Sequence, residues 1–158
     1  MKIVVLKFGG TSVGSIQRIK KVCKIITSFA KKKYKVIVVS SAMGGVTNDL
    51  INKSKLISKN FSQEEYDVLV SSGEQISCSL IAGKLVDIGY KSKSLMGWQI
   101  PIFTQGNYSS SRIIGVHKRT INNMLRKGEI PIIAGFQGIN FENRVTTLGR
   151  GGSDATAI

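Results

Sequence analysis

Apolar residues follow two rhythms along this chain. Unbroken apolar runs at Ile3–Leu6, Val36–Val39 and Ile130–Ala134 have the length and side-chain type of strands covered on both faces. Between the first two, Ile16, Ile19, Val22, Cys23, Ile26 and Phe29 recur at helical spacing with Arg18 and lysines between them, which predicts a helix laying one face on a sheet. Lys7 ends the first run, Gly9 and Gly10 follow, and Thr11 and Ser12 are placed to cap the helix. The second run leads into Ser40–Gly45, with Thr47 as a cap and a helix carrying Leu50, Ile51, Leu56 and Ile57. The third ends in Gly135-Phe136-Gln137-Gly138. Strands that run into small residues and then helices predict an α/β fold, a mostly parallel sheet sandwiched by helices, with its site at the strand C-termini.

The remaining pattern is weaker. Ser62-Gln63-Glu64-Glu65 has the form of a capping box, and the helix it opens is expected to break at Ser71-Ser72-Gly73. A further helix then starts at Glu74 and closes at Gly89, which puts Glu74 at a helix N-terminus. Tyr90–Leu95 reads as one strand, and Gly97–Ser111, polar and rich in Gly and Ser, as a long surface loop or lid. Arg112–Val116 reads as a strand, the stretch to Arg126 as a helix with Gly128 as its cap, and His117 as an isolated surface residue. Near the end, Ser153 and Asp154 are expected to cap a helix that Ala155 begins.

At 158 residues and 42% hydrophobic, the chain fits one globular domain. It lacks the ~18-residue apolar stretch of a membrane span, and its short N-terminal run is no signal peptide. Two cysteines, Cys23 and Cys78, are too few for a disulfide framework and read as buried thiols of a cytoplasmic protein. The net charge of +14 raises nucleic acid as a partner. However, the lysines are spread over helix faces and the aromatics are not interleaved with them, so a solvated basic surface is the better reading.

The candidate chemistry lies at the glycine junctions. A strand, a glycine turn and a helix N-terminus direct backbone N–H groups at one spot, and Lys7 adds a positive charge there. Both an ordinary βα turn and an anion cradle fit that spacing. Gly9 to Gly14 lacks the Lys and Ser/Thr of a Walker loop, and Gly149-Arg150-Gly151 lacks the last glycine of a dinucleotide fingerprint. Arg150, held among glycines, suits a carboxylate or phosphate, and a capped turn is the plainer alternative.

Five segments, KFGGTSVG (7–14), SSAMGGVTN (40–48), SSGEQIS (71–77), AGFQG (134–138) and TTLGRGGSDATA (146–157), resemble the aspartate kinases of the amino-acid kinase superfamily, in order and over the whole chain. The resemblance implies transfer of the ATP γ-phosphoryl group to the β-carboxylate of L-aspartate, giving 4-phospho-L-aspartate. This is the first step toward lysine, threonine, methionine and diaminopimelate. It implies Lys7, Gly9, Gly10 and Asp154 as catalytic residues, and Lys7, Gly9, Gly10 and Ser12 at the ATP phosphates. Ser41, Thr47, Glu74, Phe136, Arg150 and Ser153 would contact the substrate, with Glu74 on its α-ammonium and Arg150 on its α-carboxylate. Mg²⁺ would accompany ATP, and no residue is named as a metal ligand. The full-length family protein is expected to be a homo-oligomer. By the same resemblance, residues 1–158 are the N-terminal portion of a catalytic domain, lacking the rest of the nucleotide-binding half and the regulatory ACT domains. An inactive remnant or binding module, and a sister kinase with another acceptor, are the alternatives.

Overall fold

The computed structural model describes residues 2–149 and 151–158. Its central sheet is parallel, in the order β1-β2-β6-β3, formed by Ile3–Phe8 (β1), Lys35–Ser40 (β2), Ile130–Ala134 (β6) and Ser92–Leu95 (β3). The helices are Ile16–Lys31 (α1), Val46–Ile57 (α2), Gln63–Asp87 (α3), Arg119–Arg126 (α4) and Gly152–Ala157 (α5). Side chains alternate across the sheet. Val36, Val38, Ile130 and Ile132 pack into one core with Ile19, Val22 and Ile26 of α1 and Ile81 and Leu85 of α3. Val39, Ile133 and Leu95 face the other way, into a smaller core with Ile100, Ile102 and Met124. Cys23 and Cys78 are buried free thiols. Burial pushes the Cys78 thiol far above its ordinary range.

Of a second sheet, in the order β5-β4-β7-β8, the sequence pattern marks only the strand Arg112–Val116. This sheet comprises Arg112–Val116 (β5), Ile102–Gln105 (β4), Gln137–Ile139 (β7) and Val145–Thr147 (β8). The stretch 97–111, expected as a loop or lid, therefore contains a strand, and Ile100 and Ile102 are only 1% exposed. In the core of this sheet the Thr104 and Thr146 hydroxyls pair at 2.6 Å.

Local signals were overruled in four further places. Strand β1 continues through Lys7 to Phe8. Helix α1 is capped by Ser15, whose hydroxyl accepts from the Arg18 N–H at 3.2 Å, so Thr11 and Ser12 lie in the turn before it. Helices α2 and α5 are preceded by left-handed glycines, Gly45 and Gly151, which places Thr47, Ser153 and Asp154 inside first turns instead of at caps. The largest departure is α3, one continuous helix of 25 residues that runs straight through Ser71-Ser72-Gly73. Ser62 makes no side-chain cap bond, and Glu74 lies in mid-helix. A side chain at Gly73 would stand 2.9 Å from the Ala42 Cβ, so the glycine allows the loop after β2 to approach the helix. The hydroxyls of Ser71 and Ser72 bond back to the carbonyls of Val68 and Leu69, three residues earlier. Despite its length, neither α3 nor any other helix among the described residues is apolar enough to cross a membrane.

Candidate active site

Strands β1, β2 and β6 end at the same level, with Phe8 beside Ser40 and Ser40 beside Ala134. The ladder extends one step further: the Ser41 N–H donates to the Phe8 carbonyl and the Gly135 N–H to the Ser40 carbonyl, both at 3.0 Å. All three glycine junctions consequently open at one place, the C-terminal edge of a parallel sheet, where α/β folds hold ligands. The Gly44 N–H donates to the Gly10 carbonyl at 3.1 Å and joins the first two junctions. The third receives α5: a Cβ on Gly135 would lie 2.6 Å from the Ser153 hydroxyl, so only glycine admits that helix.

Together these segments line an open cleft of about 410 Å³. It contains Lys7, Gly9 and Gly10 from the first junction, Ser41 and Thr47 around the second, Glu74 from α3, Phe136 after β6, and Ser153 and Asp154 from α5. Nine residues chosen from the sequence thus meet in one cavity. Ser12 lies outside it; it lines a separate depression with Thr11 and Arg18. Arg150 falls outside the described residues. Asn48, Gly44, Gly45, Gly149, Gly151 and Gly152, none of them among the expected site residues, also line the cleft. Their signal lay within the quoted segments, as glycines and an amide beside the chosen residues.

Charge in the cleft is ordered in two ways. The Lys7 ammonium lies 2.9 Å from Asp154 Oδ1, which holds a flexible cation beside Gly9. Glu74 is only 3% exposed. Its Oε1 accepts from the Ala42 N–H at 3.0 Å, while Oε2 is buried with no hydrogen-bond partner among the described residues. Burial, opposed in part by the Ala42 N–H, raises its pKa from an ordinary 4.5 to about 7. A network of hydroxyls fixes the surrounding wall. Ser41 Oγ donates to Ser153 Oγ at 2.9 Å, and Ser77 Oγ donates to the Ser41 carbonyl at 2.7 Å. Phe136 is held at φ 68°, a left-handed conformation costly for a bulky residue. Its carbonyl accepts from the Leu148 N–H at 2.9 Å.

A parallel sheet thus brings a lysine, glycine turns and a buried carboxylate together at one cleft. The chain belongs to the amino acid kinase family, whose sequence profile matches residues 2–158. It is 48% identical to an aspartokinase of Geobacillus stearothermophilus over 158 residues, all of this chain and 39% of that protein. It is 49% identical over 160 residues to the aspartokinase of Rickettsia prowazekii (strain Madrid E), covering 99% of this chain and 36% of that protein. The chain therefore spans about two-fifths of the length of these curated relatives. Among solved structures, aspartate kinase from Synechocystis superposes with a TM-score of 0.81 at 40% identity, covering 99% of this chain and 26% of that one. E. coli aspartokinase III in complex with aspartate and ADP shares the fold, with a TM-score of 0.80 at 23% identity over 98% of this chain and 45% of that one.

Proposed function

We propose that this cleft takes L-aspartate and that the protein transfers the ATP γ-phosphoryl group to its β-carboxylate, giving 4-phospho-L-aspartate. The observation that carries the reading is Glu74, which lines a cleft that also holds a lysine and keeps one buried carboxylate oxygen, Oε2, without a hydrogen-bond partner among the described residues. An α-ammonium group satisfies that oxygen and offsets the cost of its burial. The aspartokinase names of the relatives support the same acceptor.

The β-carboxylate is already ionised near neutral pH, so the acceptor needs no general base. The barrier lies in bringing an anion up to a polyphosphate, which positive charge and fixed N–H donors reduce. Lys7, oriented by Asp154, and the backbone at Gly9 and Gly10 are assigned to the transferring phosphoryl group. Thr47, Ser41 and Ser153 border the acceptor, and Phe136 packs beside it. Arg150 is assigned to the α-carboxylate, and Ser12 stands as a more distant contact toward the phosphates. Mg²⁺ enters with ATP as its counter-ion. On this reading residues 1–158 form the N-terminal portion of the catalytic domain.

The test is aspartate-dependent release of ADP from Mg-ATP, with the acyl phosphate trapped by hydroxylamine, for the chain and for Lys7→Ala. Turnover that requires L-aspartate and falls at least a hundredfold in Lys7→Ala supports the assignment. Equal turnover with L-glutamate, or turnover indifferent to Lys7, overturns it. L-Aspartate binding, titrated separately, checks the acceptor half of the site without turnover.

A further inference from the structure

Asp67 is buried more deeply than Glu74, with 0% of its surface exposed, yet it lines no part of the cleft. Both residues belong to α3. Seven positions apart, they lie on nearly the same face, about two turns from one another. The Asp67 carboxylate is engaged by two distant segments. The Ser109 N–H donates to both of its oxygens, at 3.0 and 2.9 Å, and the Ser109 hydroxyl to Oδ1 at 3.0 Å. The Thr147 N–H donates to Oδ2 at 2.7 Å, and the Thr147 hydroxyl to Oδ1 at 2.9 Å. A buried carboxylate is tolerated when donors of this number meet it.

The two segments it holds lead to the cleft. The Ser111 N–H donates to the Thr147 carbonyl at 3.0 Å and zips them together. Two residues after Thr147, Gly149 leans on the same loop: a Cβ there would stand 3.3 Å from the Ser109 carbonyl and 3.7 Å from the Ser110 Cα. Gly149, Gly151, Gly152, Ser153 and Asp154 then line the cleft.

We propose that Asp67 is a positioning residue for the acceptor site, a role that rests on the function proposed above. Its carboxylate fastens Ser109 and Thr147 to α3 and so sets the glycine turn and the start of α5 at a fixed offset from Glu74. One rigid helix thereby places two walls of the cleft, one by carrying a residue and one by anchoring a turn. Only a side chain with two acceptor oxygens serves this set of donors; asparagine turns an N–H₂ group toward them.

The experiment compares the full chain with Asp67→Asn by hydrogen–deuterium exchange and by L-aspartate titration. The expected result is exchange at least tenfold faster in the segments around Ser109 and from Thr147 to Asp154, unchanged protection in β1, β2 and α1, and an aspartate Kd at least tenfold higher. Local exchange and Kd both within twofold of wild type overturn the proposal. So does faster exchange with an unchanged Kd, which reduces Asp67 to a stabilising contact. Wild-type chain that ignores aspartate refutes the function proposed above, while the exchange pattern still decides the anchoring. Should Asp67→Asn fail to fold, Thr147→Val and Ser109→Ala each remove one hydroxyl and keep the carboxylate. A two- to fivefold rise in local exchange and in Kd is expected in each, and no rise in either variant overturns the proposal.

Discussion

Glu74→Gln separates the energetic cost of the buried carboxylate from its use. In the folded chain its pKa is about 7 against an ordinary 4.5, so between these values the folded state keeps a proton that the unfolded state has released. Stability from this group is then fully present below about pH 4.5 and is lost as pH rises through 7. At about 1.4 kcal/mol per pH unit of displacement, the loss between pH 5 and pH 8 is on the order of 2–3 kcal/mol. Glutamine stays neutral throughout, and its side-chain carbonyl still accepts from the Ala42 N–H. Its amide group costs the same at every pH, so the difference in pH slope isolates the carboxylate. Urea denaturation at several pH values should therefore show wild type losing about 2–3 kcal/mol more than Glu74→Gln over this interval. Aspartate affinity at pH 8 should fall at least a hundredfold in the variant. Wild type should bind aspartate more tightly as pH rises through 7, with release of a proton. Parallel stability curves would refute the burial argument. A variant that binds aspartate as well as wild type would refute the assignment of Oε2 to the ammonium.

The two glycines inside α3 should respond oppositely to alanine. Gly73→Ala, whose Cβ would lie 2.9 Å from the Ala42 Cβ, is expected to destabilise by about 1–3 kcal/mol through overpacking. Gly83→Ala meets nothing within 4 Å and should stabilise by about 0.5–1 kcal/mol, read from thermal melts of both. Asp154→Asn breaks a largely exposed ion pair with Lys7. Stability should change by less than about 1 kcal/mol, while aspartate-dependent turnover falls at least tenfold because the ammonium loses its orientation; a normal rate in this variant would free Lys7 from that partner.

What the sequence disclosed followed the strength of local signals. Consecutive β-branched residues at Val36–Val39 admit little besides a covered strand, and glycines within five residues of the ends of three apolar runs marked where the cleft would form. Most of the second sheet was hidden because β7 and β8 are three residues each, too short for any period, and only the distant Phe103–Ile139 pairing joins their hairpin to β4. The continuity of α3 was hidden for a different reason. Ser-Ser-Gly is a poor helical sequence locally, but its hydroxyls are satisfied within the helix and its glycine allows close packing, so tertiary contact outweighed propensity. Glu74 lines the cleft, but its setting differs from the helix N-terminus that the sequence predicts. It lies at no helix terminus, so the dipole does not stabilise it, and burial instead leaves its charge to be matched within the cleft.

The unbroken α3 also constrains how this gene can change. Each residue added to or removed from a helix turns everything beyond it by about 100°. A single-codon deletion between Asp67 and Glu74 would leave both side chains in the protein yet swing one of them away from its partners. Loops elsewhere can absorb a change of length, whereas this stretch can exchange side chains only with its residue count fixed.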